Sequence, residues 1–231
     1  MTTGTTIKGI SSMATRQLLA ELVADYKKTT NANIAIESVG GVDAAKRVQA
    51  GEAFDVVILA SDAIDKLITS GHIDPTSKVN LVNSGVAVAV KSGAAVPDIS
   101  SETAVKAAVL AAKTISYSTG PSGVALAKLF EHWGIEQEIA SRIVKAPPGV
   151  PVGSLVAKGE VELGFQQLSE LIHLDGISIV GPLPSEIQIT TTFSAGVCTA
   201  STQADAVKSM LAYMASPAAS AAKLRQGMEI V

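Results

Sequence analysis

"IESVGGVDAAKRV", residues 36 to 48, runs an apolar strand into two glycines and then directly into a helix of small residues. A strand that passes into a helix through a bare turn is half of a β-α unit, so the other half lies upstream or downstream. Upstream, "TIKGI" is a short strand and "SMATRQLLAELVADYKKT" carries apolar positions at helical spacing, which completes a β-α-β unit with "NIAIESV". Downstream, "VDAAKRVQAG" is a helix stopped by Gly51, "FDVVILA" a buried strand and "SDAIDKLITSG" a helix stopped by Gly71. Such alternation predicts a parallel or mixed sheet covered by helices, the open α/β class.

The pattern restarts near residue 83. "NSGVAVAVKSG" is a strand, "SETAVKAAVLAAK" a helix, "TISYST" a strand, "SGVALAKLFEHWG" a helix, and "VELGFQQL" contains another strand. After the strand-like "IQITTTFSAGVCTA" the chain returns to helix with "QADAVKSMLAYMAS", Pro217 and "AASAAKLRQG". No internal repeat or low-complexity linker separates the halves. The expected lobes are residues 1–82 with 195–231, and residues 83–194, with a ligand crevice at strand carboxyl ends between them.

Composition removes several function classes. The chain has 231 residues, enough for one large domain or two small ones, with 47% hydrophobic residues. Most of those are Ala and Val spread between charges, and no run approaches the ~20 apolar residues that span a bilayer; membrane insertion is not expected. The net charge is -3 and Lys/Arg clusters are no longer than a pair, which argues against nucleic acid as a partner. His72, His132 and His173 are scattered without metal-ligand spacing, so no metal and no cofactor are expected. The single cysteine, Cys198, sits in an apolar run and reads as a buried thiol. "MTTGTTIKGISS" has neither a basic stretch nor an apolar one, so the expected location is cytoplasmic as the sequence stands, or periplasmic if a leader has been trimmed.

Four loop-to-helix junctions offer donors to an anion. "GISSMATRQ" places Ser11 and Ser12 before a helix, either as plain N-caps or as ligand donors. Gly40 and Gly41 lack a Cβ, which fits a tight turn or close approach of a ligand to the next helix's amides. "STGPSGVALAK" offers Ser118, Thr119, Ser122 and Gly123, with Pro121 fixing the turn. "PPGVPVGSLVAKGE" is a rigid loop before a fourth short helix. Arg16 falls in the first turn of its helix, where the macrodipole disfavours a cation; a carboxylate partner or a solvated face both account for it.

The order of these segments, closing with "SPAASAAKLRQGMEI", resembles the molybdate-binding substrate-binding proteins of ABC transporters over nearly the whole chain. The resemblance implies a type II periplasmic-binding-protein fold: two α/β lobes, two crossovers, and an anion enclosed in an inter-lobe cleft by loop hydroxyls and helix N-termini. Family ligand positions fall on Ser12, Gly41, Ser122, the Pro151/Val152 pair and Gln167. It also implies an ABC transporter permease as partner if the chain is exported. The departures are chemical: Gly41 stands where those proteins carry a serine, and "FQQLSE", with Gln166 and Gln167, stands where they place a tyrosine. A lost hydroxyl widens the pocket, and an amide adds both donor and acceptor capacity. The expected ligand is therefore a small anion, either a molybdate-like oxyanion or, better suited to the widened pocket, an organic tricarboxylate.

Aconitate isomerase, a bacterial enzyme, resembles the same family, and this keeps a second class of function open. The reaction would be a proton shift that needs a positioned base. Glu37, Asp43, Asp62, Glu170 and Tyr117 lie in or beside the candidate loops, where any of them also reads as a cap or a solvated carboxylate. A ligand-sensing domain detached from a regulator is a third reading, without a DNA-binding segment to support it.

Overall fold

The computed structural model describes residues 6–147 and 149–231. The N-terminal residues 1–5 and Pro148, which belong to the "MTTGTTIKGISS" and "PPGVPVGSLVAKGE" readings, lie outside the described residues. The chain divides into two compact units: one ends at Asn83 and resumes over Thr192–Val231, and the other is Ser84–Thr191. Asn83 and residues 192–194, read from the sequence as part of the second lobe, belong to the first unit. There Thr192 Oγ1 and Ser194 Oγ donate to Asn83 Oδ1 and Asn80 Oδ1, each at 2.7 Å.

The first unit is built on β1 (Thr6–Ser12), α1 (Arg16–Thr29), β2 (Asn33–Val39), α2 (Gly41–Gln49), β3 (Val56–Ala60) and α3 (Ser61–Thr69). The helix expected straight after Ser12 is delayed, because Met13–Thr15 forms a 3-10 turn before α1. β1 pairs in parallel with β2 on one side and β3 on the other. The carboxyl ends of all three strands therefore share one edge, and each leads into a helix. β4 (Val79–Lys91) contributes its first residues to this unit and the rest to the other.

The second unit continues with α4 (Glu102–Ala111), β5 (Ile115–Tyr117), α5 (Pro121–His132), the short α6 (Glu136–Ile139), α7 (Val152–Lys158), β6 (Leu163–Gln167), the four-residue α8 (Leu168–Leu171) and β7 (Ile177–Pro182). β5 and β6 are parallel, while β4 runs antiparallel to β6 and β7. β8 (Thr190–Val197) begins in the second unit and from Thr192 on belongs to the first, where it lies against β3; the first unit closes with α9 (Ala204–Ala215), α10 (Ser220–Arg225) and β9 (Glu229–Ile230) beside β4.

Each sheet is packed on both faces, as a parallel sheet requires. In the first unit, Leu18, Leu22 and Met210 of α1 and α9 cover one face, and Ala44, Val48, Ile64 and Leu67 of α2 and α3 cover the other. In the second, Val105, Leu126 and Phe130 pack on Val88 and Phe165, while Val152 and Val156 of α7 form a separate cluster. Both α4 and α5 thus follow from apolar residues at helical spacing meeting strands whose inward residues are valine and phenylalanine.

Candidate functional site

Helices α2, α3, α5 and α7 begin without a capping side chain, as do α1, α6, α8, α9 and α10. By contrast, Ser101 caps α4 by accepting from Ala104 N. An uncapped helix start leaves backbone N–H groups without a partner and with a positive dipole end behind them. Four of these starts, those of α2, α3, α5 and α7, follow the carboxyl ends of β2, β3 and β5 and the loop before α7. The Ala60–Ser61 junction belongs to this set and is not singled out by the sequence reading; alanine before serine has no loop signature.

In the first unit, Ser12 and Gly41 come together. A Cβ built on Gly41 would lie 3.7 Å from Ser12 Oγ and 3.9 Å from Leu59 Cδ2, ordinary contact distances. Gly40 has φ -55° and ψ 134°, open to any residue, and a Cβ there would meet only Asp43 Oδ2 at 3.5 Å. Neither backbone geometry nor packing demands these two glycines. Their bareness exposes the amides of Gly41, Val42 and Asp43, which precede the first intrahelical bond, Ala44 N to Gly40 O at 2.9 Å. Ser12 Oγ accepts only a long 3.4 Å bond from Ala14 N, so its own proton is free to donate.

Ser11 and Arg16 go elsewhere. Ser11 is fully buried, and its hydroxyl shares a 2.8 Å hydrogen bond with Ser38 Oγ across the β1–β2 pair, so it is a sheet contact and not an anion donor. Arg16 is exposed and lines a groove with Leu19, Val23, Ile36 and Ser38 on the α1 side. Gly41 instead meets Ser12 and Leu59, a residue of the core on the α2 side.

In the second unit, Ser118 and Ser122 share a 3.0 Å hydroxyl–hydroxyl hydrogen bond at the start of α5. The exposed Thr119 and the half-buried Gly120 complete the turn, and Val124 N to Gly120 O at 3.1 Å is the first helical bond. Pro121 has no N–H, so the donors left are the amides of Ser122 and Gly123. Gly123 differs from Gly41: a Cβ there would fall 1.6 Å from the Ser118 carbonyl oxygen, so its bareness is a packing requirement.

Around α7 the side chains are structural and the backbone is open. Val152 is 1% exposed and Pro151 is the N-cap residue without a side-chain bond. Gly153 N donates to Gln166 Oε1 at 3.1 Å, which leaves the Val152 amide as the donor at this start. Gln166 is thereby consumed inside the protein, since its amide also bonds the Glu170 carboxylate. Gln167 is 3% exposed and donates from Nε2 to Thr191 Oγ1 at 3.0 Å, while its Oε1 is buried with no partner among the described residues. A buried acceptor left open is costly and marks a place where an outside donor is welcome.

Among the acid–base candidates, Glu170 stands out. Burial pushes its carboxyl up to about 7, with the Gln166 amide holding it partly back. Glu37 is instead held below its ordinary value by Arg47, which bonds both of its oxygens at 2.9 and 3.0 Å and also clamps Glu52. Asp62 lies 3.6 Å from Lys66 on an exposed helix face. Tyr117 packs edge-on against Phe130 at 5.8 Å, and burial raises its phenol. Asp43 is exposed beside Gly40.

Among the described residues no group of three or more His, Cys, Asp or Glu gathers where a metal ion would sit, and no helix is long and apolar enough to cross a membrane. Cys198 is buried, and burial with the nearby Asp55 carboxylate pushes its thiol up to about 12. Since the thiolate is the nucleophile, alkylation by iodoacetamide at pH 7.5 is expected to be undetectable in the folded protein and complete in denaturant. Prompt labelling of the native chain would contradict this burial.

The family model described as "Bacterial extracellular solute-binding protein" matches residues 7–229. A Pseudomonas sp. protein named aconitate isomerase is 36% identical over 233 residues, covering 98% of this chain and 88% of that protein. The Azotobacter vinelandii periplasmic molybdate-binding protein superposes with a TM-score of 0.81 at 21% identity, over 97% of this chain and 99% of that one. The sulfate-binding protein SubI of Mycobacterium tuberculosis H37Rv gives 0.81 at 14% identity, over 99% and 88%. At those identities the two structures speak for the fold, which is that of the periplasmic binding proteins. The match across 7–229 and the relative that shares more than a third of its residues together place this chain in the family of bacterial extracellular solute-binding proteins.

Proposed function

We propose that this chain binds a small organic polycarboxylate of the aconitate class, using uncapped helix starts as carboxylate donors. The observation that carries the reading is the 36% identity, over 98% of the chain, to a protein named aconitate isomerase. Local chemistry supports it. Gly41 leaves open amides beside Ser12 without being required by the fold, which suits a bulky planar carboxylate better than a compact oxyanion. As part of the same proposal, the chain works outside the cytoplasmic membrane, with an ABC transporter permease as a partner if it serves transport.

The same relative favours a second step on the bound ligand, cis/trans isomerisation. A base takes a proton from the substrate methylene, the allylic carbanion is stabilised by backbone donors, and the proton returns to the other end of the allyl unit. No atoms or electrons are gained or lost. Glu170 suits the shuttle because a carboxyl near 7 is half charged at neutral pH.

A thermal-shift panel separates the ligands. A ligand at a hundred times its Kd adds about 2.7 kcal/mol to apparent stability. Aconitate or tricarballylate is expected to raise the melting temperature, and molybdate, tungstate and sulfate are expected not to. Proton NMR of cis-aconitate incubated with the chain then reports isomerisation directly. A response to molybdate alone would overturn the polycarboxylate reading, whereas binding of aconitate without conversion would overturn only the enzymatic step.

A further inference from the structure

The first unit's sheet is open at one side. Among the described residues β2 pairs with β1 alone, so there it is an edge strand, a template on which another chain can pair. In a parallel ladder each residue points its N–H and C=O to one side, and successive residues alternate. Glu37 O faces β1, where Ser11 Oγ approaches it at 3.5 Å. Ile34 O faces outward, where Lys27 Nζ donates to it at 2.9 Å. Ile34, Ile36 and Ser38 therefore carry the outward peptide groups. Lys27 blunts the edge at Ile34, and no hydrogen bond among the described residues occupies the backbone at Ile36 or Ser38 on that side.

Beside this open stretch runs a groove of about 550 Å³, between α1 and the strand. Its lining is mixed: Leu19, Ala20 and Val23 are apolar groups on the helix side, and Arg16 and Ser38 contribute polar ones. Because α1 runs back across the sheet between two parallel strands, Arg16 at its start stands near the Ser38 end, and Lys27 marks the Ile34 end. Arg16 is exposed and belongs to no ion pair among the described residues. Here the helix N-terminus adds positive potential to the guanidinium. From Ile34 to Ser38 the edge spans about 13 Å, room for four or five residues of added strand.

We infer that this groove takes an extended peptide segment, which adds to β2 as a further strand and sets a carboxylate side chain against Arg16. Strand addition supplies main-chain hydrogen bonds at Ile36 and Ser38, and every second side chain meets Leu19, Ala20 and Val23 of α1. A second copy of this chain is a poorer occupant. The acidic residue its own β2 would bring is Glu37, which Arg47 already holds through both oxygens.

The test uses the full chain and a fluorescein-labelled peptide of alternating threonine and valine that ends in aspartate amide, read by fluorescence anisotropy. Binding is expected, weaker by about 10-fold or more when asparagine replaces the aspartate, and by a similar factor in Arg16→Glu. A probe N-methylated at alternate backbone nitrogens is expected not to bind. Ile36→Pro removes an outward N–H without touching the ladder to β1 and should abolish binding; proline is tolerated on edge strands, and an unchanged circular dichroism melt verifies the fold. Arg16→Glu, at an exposed position, keeps the test informative should the proline variant fail to fold. Absence of peptide binding at millimolar concentration, binding indifferent to Arg16→Glu, or a dimer in light scattering that Arg16→Glu dissociates would each overturn the inference.

Discussion

Glu170→Gln is expected to slow aconitate isomerisation by about 10²- to 10⁴-fold, the usual contribution of a positioned proton-transfer group, while leaving the aconitate-induced thermal shift within a degree or so. Glutamine preserves the shape and the contact with Gln166 but neither takes nor returns a proton. A pH profile adds a reading that a structural role would not give. The wild-type carboxyl, pushed up by burial from 4.5 to about 7, remains protonated in the folded chain at pH values where the unfolded chain has released the proton. Stability from this group is therefore fully present below 4.5, declines as pH rises, and is gone above about 7. The difference corresponds to at most about 3 kcal/mol between acid and alkaline limits, less where solvent reaches the half-buried side chain. Glu170→Gln should flatten that dependence and melt higher than wild type at pH 8. An unchanged isomerisation rate would remove Glu170 from the chemistry. A wild-type melt that does not fall between pH 5 and 8 relative to the variant would remove the burial argument.

The junctions after β1, β2 and β5 are legible in the sequence because a strand run meets a helical pattern at a glycine or serine, whereas the Ala60–Ser61 junction has no such loop signature. β2 spans Asn33–Val39, the range that alternation around "NIAIESV" indicates. β7 is not legible: "ISIVGP" is a half-exposed edge strand with no clean alternation, and it is a strand because β4 offers it a partner from Lys91 to Ala87. The site is legible as loops but not as contacts. Ser11 and Ser12 are neighbours of the same type, and only the parallel register, which sets Ser11 beside Ser38, turns one hydroxyl inward and leaves the other free. Gln166 and Gln167 divide in the same way, since successive strand residues point to opposite faces: one braces Gly153, the other keeps an open acceptor. Glu170 is one of five equivalent carboxyl and phenol candidates until burial on a four-residue helix distinguishes it.

Two glycines that look alike in sequence should respond in opposite ways to an added side chain. Gly123→Ala places a Cβ 1.6 Å from the Ser118 carbonyl oxygen, a distance no rotamer change relieves because both partners are backbone. The turn between β5 and α5 must open, breaking the Ser118–Ser122 hydroxyl pair and shifting a helix whose Leu126 and Phe130 are 1% exposed. The expected cost is more than about 3 kcal/mol, at the upper end of overpacking effects, seen as a large drop in melting temperature or as insoluble protein. Gly41→Ser meets nothing closer than 3.7 Å, at a helical position where serine is well accepted, so its melt should stay within about 0.5 kcal/mol of wild type. Its effect belongs to the ligand: the new side chain occupies the space over the α2 amides beside Ser12, and calorimetry should show tricarboxylate affinity reduced about 10-fold or more, about 1.4 kcal/mol. The same hydroxyl supplies a donor for a compact oxyanion, so any molybdate response should rise. Equal tricarboxylate affinity in wild type and Gly41→Ser would mean that the bare amides after β2 face no ligand.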